Sequence, residues 1–565
     1  MPSLRQTLIS ALSVLPPLAL GTPHAVRQAG APTVTIQNGT IAGVHNSNYN
    51  QDFFLGIPYA QPPLGDLRFR EPQPLKDVWS GMLEATKYYP ECYGYGYDQI
   101  GYEQSEDCLV VNIVRPSGFD GQALPIGAWI HGGGFYMGGA SDLRYNLSFI
   151  VENSVKIGHP VIGLSMAYRL GPWGFLNGQE IQSEGSTNVG MKDQRLALHW
   201  IQENIAAFGG DPAKVTIFGE SAGATAVGLH AIAYGGKDEG LFSGIIGQSG
   251  NPMVAAYNAT TGQRTFDNIT DIAGCSNEDD KLSCLRGKDF DTLNTAFNRT
   301  GIRFSPAPDG DFIPNSTYGA VINGDFVKVP YMIGANSDEG TSFGPVGINN
   351  DSDFRRYLLR SGLTEDSAPI IEATYPDIPA IGIPTTLTYT LNSSYGYQYK
   401  RGNAFGGDLS MHAGRRLTNQ QYANYNVTTY SYRFNTIPYP LPNFIGVAHF
   451  QEVAFVFDNT DGLGYAANAK PFTDVPESYF YLAQLMSSMW ASFIATGDPN
   501  NHMMTAPHWP VYMNGPGGDP VTGAGGYGKN MVLQANDTGS YVEDDTYRAT
   551  GIAALNQMWG TVFGR

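Results

Sequence analysis

The run Lys214 to Ala233, KVTIFGESAGATAVGLHAIA, holds a serine between two glycines at Gly219-Glu220-Ser221-Ala222-Gly223. Lys214 to Phe218 alternates as a strand does, and an Ala-rich helical pattern follows Gly223. G-x-S-x-G on a strand–turn–helix is the arrangement of a nucleophile elbow. Its glycines admit a backbone crossing too tight for a Cβ, and the turn lifts the serine Oγ clear of the sheet. The pentapeptide alone recurs by chance, and Ser221 would also serve as an ordinary helix N-cap. A nucleophilic hydroxyl needs a base, and the base needs a carboxylate to orient it. On a sheet of this kind the chain order is serine, acid, histidine.

Four histidines fall late enough to be that base: His412, His449, His502 and His508. His449 stands in FIGVAHFQEVAFVF, a loop ahead of a strongly apolar run, suited to tip a ring into a cleft. Order alone does not single it out. For the acid, VPYMIGANSDEGTSF ends an apolar strand and then offers Asp338 and Glu339 side by side. Carboxyl ends of strands are where α/β sheets place their chemistry, but composition does not choose between the two. Donors for a developing oxyanion come from WIHGGGFYMGG, where His131, Gly132 to Gly134 and Phe135 follow a strand directly. Such a loop supplies one half of the hole, and the N–H after the nucleophile, here Ala222, supplies the other. Elbow and loop together point to a hydrolase.

These residues need a sheet to carry them. Leu109–Val114, Leu124–Ile130, Val161–Met166, Val215–Phe218, Ile245–Gly247 and Val329–Gly334 are short apolar runs bounded by Gly, Pro or Asn. Buried parallel strands read this way. Asn188 to Phe208 places Met191, Leu196, Leu198, Trp200, Ile201 and Ile205 largely on one stripe and stops at Gly209-Gly210-Asp211-Pro212. The alternation predicts an α/β fold with a parallel sheet. Val34 to Val44 reads as a hairpin turning at Asn38-Gly39. Asp351 to Tyr432, polar and tyrosine-rich, reads as a helical insertion without strands. Gly523 to Lys529 matches G-x-x-x-x-G-K, but Asn530 stands where Ser or Thr is required and a strand-like MVLQ follows, so it is a loop and no phosphate site.

The chain has 565 residues, 42% hydrophobic and 15% charged, with a formal charge of −18. Such a surface repels phosphate backbones, which excludes nucleic acid as a partner. Residues 1–21 have the form of a secretory signal: Arg5, an apolar stretch from Thr7 to Leu20, and a small-residue site at Ala19-Leu20-Gly21, with cleavage expected between Gly21 and Arg27. No later segment is long and apolar enough to span a bilayer. Secretion agrees with N-x-[ST] sequons at Asn38, Asn146, Asn258, Asn268, Asn298, Asn315, Asn350, Asn392, Asn426 and Asn536. The four cysteines form two near-neighbour pairs, Cys92/Cys108 and Cys275/Cys284, which read as disulfides.

With these features assembled, the sequence closely resembles the type B carboxylesterase/lipase family, the cholinesterase-like branch of α/β-hydrolases, and in character its fungal secreted carboxylesterases. The blocks GIPYAQPPLGDLRFREP (56–72), SEDCLVVNI (105–113), HGGGF (131–135), AYRLGPWGFL (167–176), NVGMKDQRLALHWIQENIAAFGGDP (188–212), GESAG (219–223), GQSG (247–250), SDEGT (337–341), MWASFIATGDPN (489–500) and WPVY (509–512) carry the likeness. It implies an α/β-hydrolase fold: a large, mostly parallel sheet flanked by helices, with helical insertions over the active-site gorge, as one domain over 33–565. It implies Glu339 as the acid and His449 as the base, with oxyanion donors at Gly133, Gly134 and Ala222. Glu220 and Ser249 would stand beside this triad. Two structural ion pairs are implied, Arg68 with Glu106 and Arg169 with Asp193, and the two disulfides fit. The implied reaction is ester hydrolysis through an acyl-enzyme, with no metal or organic cofactor.

For the substrate, the interior of the Cys92–Cys108 loop, YGYGYDQIGYEQSED, is informative. It is shorter than the gorge-covering loop of the family's lipases and has no apolar helix face, which favours soluble or small esters over emulsified triglyceride. It lacks the tryptophan on which cholinesterases stack choline. Its tyrosines could meet an aromatic acyl group or simply pack. A lipase or sterol esterase with a shortened lid is the alternative, and a catalytically silent binding protein a remote one.

Overall fold

The computed structural model describes residues 30–254, 259–300, 304–513, 528–536 and 539–564. The secretory segment, the sequon at Asn258 and most of the glycine-rich loop before Lys529 lie outside the described residues.

Eleven strands form the central sheet: β1 (Val44–Asn46), β2 (Gln51–Pro58), β3 (Val110–Pro116), β4 (Leu124–Ile130), β5 (Ile162–Met166), β6 (Gly210–Glu220), β7 (Gly244–Gln248), β8 (Tyr331–Asn336), β9 (Thr429–Phe434), β10 (Lys529–Leu533) and β11 (Tyr541–Asp544). Their order is β11-β10-β9-β8-β7-β6-β4-β5-β3-β2-β1. From β10 to β5 every neighbour is parallel, and both edges are antiparallel. The protein has the α/β-hydrolase fold. Successive residues of the inner strands enter different cores. Ile126, Ala128 and Ile130 face one, with Val215, Ile217, Ile245 and Ile333; Trp129, Phe218, Ile246 and Met332 face the other. Burial on both sides is why these strands read as unbroken apolar runs.

Helices α1 (Leu147–Lys156) and α4 (Glu477–Thr496) cover the Trp129 side, and α2 (Val189–Asn204) and α3 (Ala222–Gly236) the other. Residues 351–424 contain four α-helices, Asp351–Arg360, Ala368–Thr374, Tyr399–Gly407 and Ala413–Asn424, the last two joined by a π-helical turn at Asp408–His412. The reading of 351–432 as strandless is corrected at its end, because Thr429–Tyr432 belongs to β9 inside the sheet. The hairpin also shifts by one residue. Ile36 pairs with Gly39, so Gln37-Asn38 forms the turn. Trp79 is the reason: a Cβ on Gly39 would meet its indole at 2.4 Å, and its Nε1 donates to Thr40 O. The glycine is thereby drawn into the strand.

Both disulfides form, Cys92–Cys108 and Cys275–Cys284. Arg68 grips Glu106 with two bonds of 2.6 and 2.7 Å, and Arg169 grips Asp193 at 2.8 and 2.7 Å. The second pair is fully buried and the first nearly so. A buried pair of this kind adds little net stability, because desolvation offsets most of the Coulomb attraction, whereas removing one partner leaves an uncompensated buried charge.

Candidate active site

Four loops at the carboxyl ends of the parallel strands converge on one cavity of about 600 Å³. The loop after β4 brings Gly132, Gly133 and Gly134, the β6–α3 corner Glu220 and Ser221, the turn after β8 Ser342 and Phe343, and the loop after β9 His449 and Phe450.

Ser221 has φ 58° and ψ −119°, a conformation a β-carbon-bearing residue holds only under constraint. The flanking glycines make it possible. A Cβ on Gly223 would sit 2.0 Å from Ile130 O, and one on Gly219 2.5 Å from the same oxygen. Strand β4 thus crosses directly beneath the corner. Ser221 N donates to Gln248 O at 2.8 Å, while its Oγ makes no hydrogen bond among the described residues. The serine is no side-chain N-cap, since no cap bond from it is present.

The geometry separates the two neighbouring acids. Glu339 Oε2 lies 2.8 Å from His449 Nδ1, and its other oxygen accepts from Asn336 N at 2.8 Å. Asp338 turns instead to the backbone of the histidine loop. Its Oδ2 accepts from Val447 N at 2.8 Å, and its own N–H donates to Val447 O at 2.9 Å. Burial pushes Asp338 up to about 6 against the bond from Val447 and the charges of Arg548, Arg433 and Lys400. The other histidines stand apart: His412 packs on Tyr547, His502 accepts from Met504 N, and His508 is exposed.

His449 Nε2 faces Glu220, 3.2 Å from Oε1, rather than the serine. Catalytic hydrogen bonds often tighten only with substrate bound. Behind this pair lies Glu452, fully buried, which accepts from Asn336 Nδ2 at 2.7 Å; Gln248 Nε2 reaches it at 3.4 Å. Burial pushes Glu220 well above the usual carboxylate range; His449 opposes the shift, while Glu452 and Glu339 add to it. For the ring, burial acts downward, but the charges of Glu220 and Glu339 outweigh it and carry His449 up to about 9. Glu220 Oε1 makes no hydrogen bond among the described residues, so its 3.2 Å approach to the ring is an electrostatic contact. Glu452, Asn336 and Gln248 were not foreseen; no local pattern marks them. Ser249 is buried at the end of β7 with its Oγ unbonded, and it touches neither His449 nor Glu339 through a hydrogen bond among the described residues.

A pH prediction follows from the raised ring. A base must be unprotonated to act, so activity is lost as pH falls through its raised value. The acid limb of kcat/KM is expected above 6.5, higher than the fall near pH 6 that an ordinary histidine gives. Glu220→Gln removes one raising charge and should move the limb down by about one unit. A limb that stays in place, or moves up, in the pH–rate profile of that variant would refute the coupling.

Gly133 and Gly134 have φ of 92° and 63°, and neither N–H is hydrogen-bonded among the described residues, nor is that of Ala222. A Cβ on Gly132 would lie 3.1 Å from Ser221 Cβ, so the loop abuts the serine. His131 anchors this loop. Its ring stacks on Tyr168 at 4.4 Å, Tyr168 OH donates to its carbonyl, and burial pushes the ring down to about 4, keeping it neutral. The insertion contributes no lining residue, but its helix Tyr399–Gly407 packs on the turn Gly340–Phe343; a Cβ on Gly340 would strike Asn403 O at 1.8 Å.

Ser221 on a strained elbow, His449 bonded to Glu339 and an open row of N–H groups form an arrangement suited to ester hydrolysis. The comparison with known proteins agrees. Residues 30–520 match the Carboxylesterase family, and the chain belongs to it. It is 34% identical to Lipase 2 of Diutina rugosa, over 95% of this chain and 97% of that one. It is 34% identical to Secreted lipase 1 of Botryotinia fuckeliana, over 86% and 88%. The crystal structure of Aspergillus niger EstA superposes with a TM-score of 0.79 at 28% identity, covering 95% of this chain and 99% of that one. The protein is a secreted carboxylic-ester hydrolase. Among the described residues, no helix is long and apolar enough to cross a membrane.

Proposed function

We propose that Ser221, His449 and Glu339 form the triad of an esterase that acts on soluble or small carboxylic esters. His449 Nε2, released from Glu220, takes the Ser221 proton as Oγ attacks the ester carbonyl. Glu339 holds the ring by Nδ1 and stabilises the imidazolium. N–H groups of Gly133, Gly134 and Ala222 receive the oxyanion. The imidazolium then protonates the departing alcohol, and water repeats the cycle on the acyl-enzyme.

The observation that favours soluble esters is the tethering of the Cys92–Cys108 loop. Tyr95 N donates to Tyr136 O at 2.6 Å, Gln99 exchanges two bonds with Gly138, Trp173 Nε1 donates to Tyr95 OH, and Arg144 bonds Asp98 at 2.7 Å. A loop fixed at so many points has no hinge on which to swing as a lid. The lipase reading draws support from the names of the fungal relatives. Hydrolysis of p-nitrophenyl esters from C2 to C16, with Ser221→Ala as control, separates the two. We expect a maximum at short chains and no jump above the solubility limit; a long-chain maximum with such a jump would establish a lipase. Wild type no faster than the control on every ester would refute the triad.

The reading includes a cleaved segment at 1–21 and one domain over 33–565. N-glycans are proposed on exposed sequons such as Asn298, Asn392 and Asn426. Asn38 is excluded, because its buried Nδ2 is committed to Asp77 O; glycopeptide mapping reads this difference.

A further inference from the structure

One guanidinium at the cavity is held by three separate pieces of chain. Arg144 lines it together with Ser221, Glu220 and His449. Its Nε donates to both oxygens of Asp142, at 3.1 and 2.8 Å, and its Nη2 donates to Asp142 and, at 2.7 Å, to Asp98 on the disulfide loop. Phe450, next to His449, sets its ring 4.7 Å from the guanidinium carbon. It does so from a φ of 72°, backbone that a phenylalanine holds only when its surroundings insist. Nη1 carries no hydrogen bond among the described residues.

Charge decides what that nitrogen can meet. Asp98 and Asp142 already oppose the single cation, and Glu220 shares the cavity. An anionic substrate would approach carboxylates to reach a guanidinium that is already neutralised. A neutral oxygen meets no such repulsion and still accepts a charge-assisted N–H···O bond, the stronger kind. Tyr97, Tyr136, Phe343 and Phe450 make the lining aromatic, and flat rings stack or meet edge to face on such walls.

We propose that Arg144 is the polar anchor of the substrate site, and that the cavity selects aryl esters whose ring carries a neutral oxygen for Nη1 to donate to. A phenolic hydroxyl or a methoxyl is such an oxygen. The proposal rests on the ester-hydrolase reading of Ser221, and Arg144 sets specificity without taking part in acyl transfer.

The test compares kcat/KM for methyl 4-hydroxycinnamate and methyl 4-methoxycinnamate with that for unsubstituted methyl cinnamate and its 4-carboxy analogue. Wild type should favour the oxygenated esters over the plain one by about tenfold or more, because a site built to bond an oxygen discriminates against its absence. The 4-carboxy ester should be the poorest. In Arg144→Met the oxygenated-to-plain ratio should fall to about 1, with partial recovery in Arg144→Lys. A wild-type ratio near 1, or preference for the carboxy ester, overturns the proposal without needing any variant. So does an unchanged ratio in Arg144→Met, which would leave Arg144 a clamp on the disulfide loop. Wild type active on p-nitrophenyl acetate but on none of the cinnamates defeats the substrate class alone, whereas inactivity on all of them defeats the ester-hydrolase reading.

Discussion

Alanine at Ser221 or at His449 is expected to lower kcat on p-nitrophenyl acetate by about 10⁴–10⁶-fold, and the double variant by no more than the worse single one. Residues that act in one proton transfer fail together, because the serine is a poor nucleophile without the base and the base has nothing to activate without the serine. In the resting geometry the two are not hydrogen-bonded, and Nε2 faces Glu220 at 3.2 Å. The double variant therefore asks whether that pairing gives way when substrate binds. If Ser221 and His449 worked in separate steps, their losses would multiply, and a double variant slower by the product of the two would refute the triad. KM should move little, since neither group binds the ground state. Thermal melts of all three proteins check that the fold is intact; a serine-to-alanine change at φ 58° leaves the elbow's close crossing with β4 untouched.

The parallel strands were legible because their central residues are buried on both faces, so that apolar runs such as Ile126–Ile130 of β4 and Ile245–Gly247 of β7 stand out. Strand β9 broke that rule and was missed. Its sequence, TYSYRF, looks like a surface segment, yet Thr429 and Ser431 are fully buried. Thr429 Oγ1 lies 2.7 Å from Tyr331 O and 2.6 Å from the Asn419 side-chain amide, and Ser431 Oγ donates to Asn530 Oδ1 and accepts from Arg415 Nη1. Arg415 in turn grips Asp545, 130 residues away. A polar residue becomes a core residue only when its partners arrive, and partners so distant leave no periodicity to read.

The site divides along the same line. Ser221 and the Gly132–Gly134 loop were visible because their chemistry depends on backbone shape, which a few adjacent residues encode. Asp338 and Glu339 could not be told apart, since both are buried acids at the end of one strand. The difference lies in which way each side chain leaves the turn, one to the His449 ring and the other to the Val447 N–H. Glu452 and Arg144 were silent for a further reason: each gains meaning only from groups brought by other loops, Asn336 for the first, Asp98 and Phe450 for the second.

Gly133→Ala is the substitution expected to separate the oxyanion loop from the rest of the machinery, with kcat falling about 10²–10³-fold and KM nearly unchanged. At φ 92° an added Cβ would meet Met137 O at 2.2 Å, a backbone atom that cannot rotate aside. The loop must shift, and the N–H groups of Gly133 and Gly134 shift with it. One misplaced donor removes about 3–4 kcal/mol of transition-state stabilisation. On the proposed role these donors meet an oxyanion that exists only after attack, so the expected loss belongs in kcat. Gly65→Ala is the matched control. Its φ of 55° is also positive, but nothing lies within 4 Å of the added carbon, and activity there should be unaffected. Equal losses in both variants would assign the effect to backbone strain. A Gly133→Ala enzyme whose KM rose while kcat held would show the loop to be a substrate clamp and no oxyanion hole.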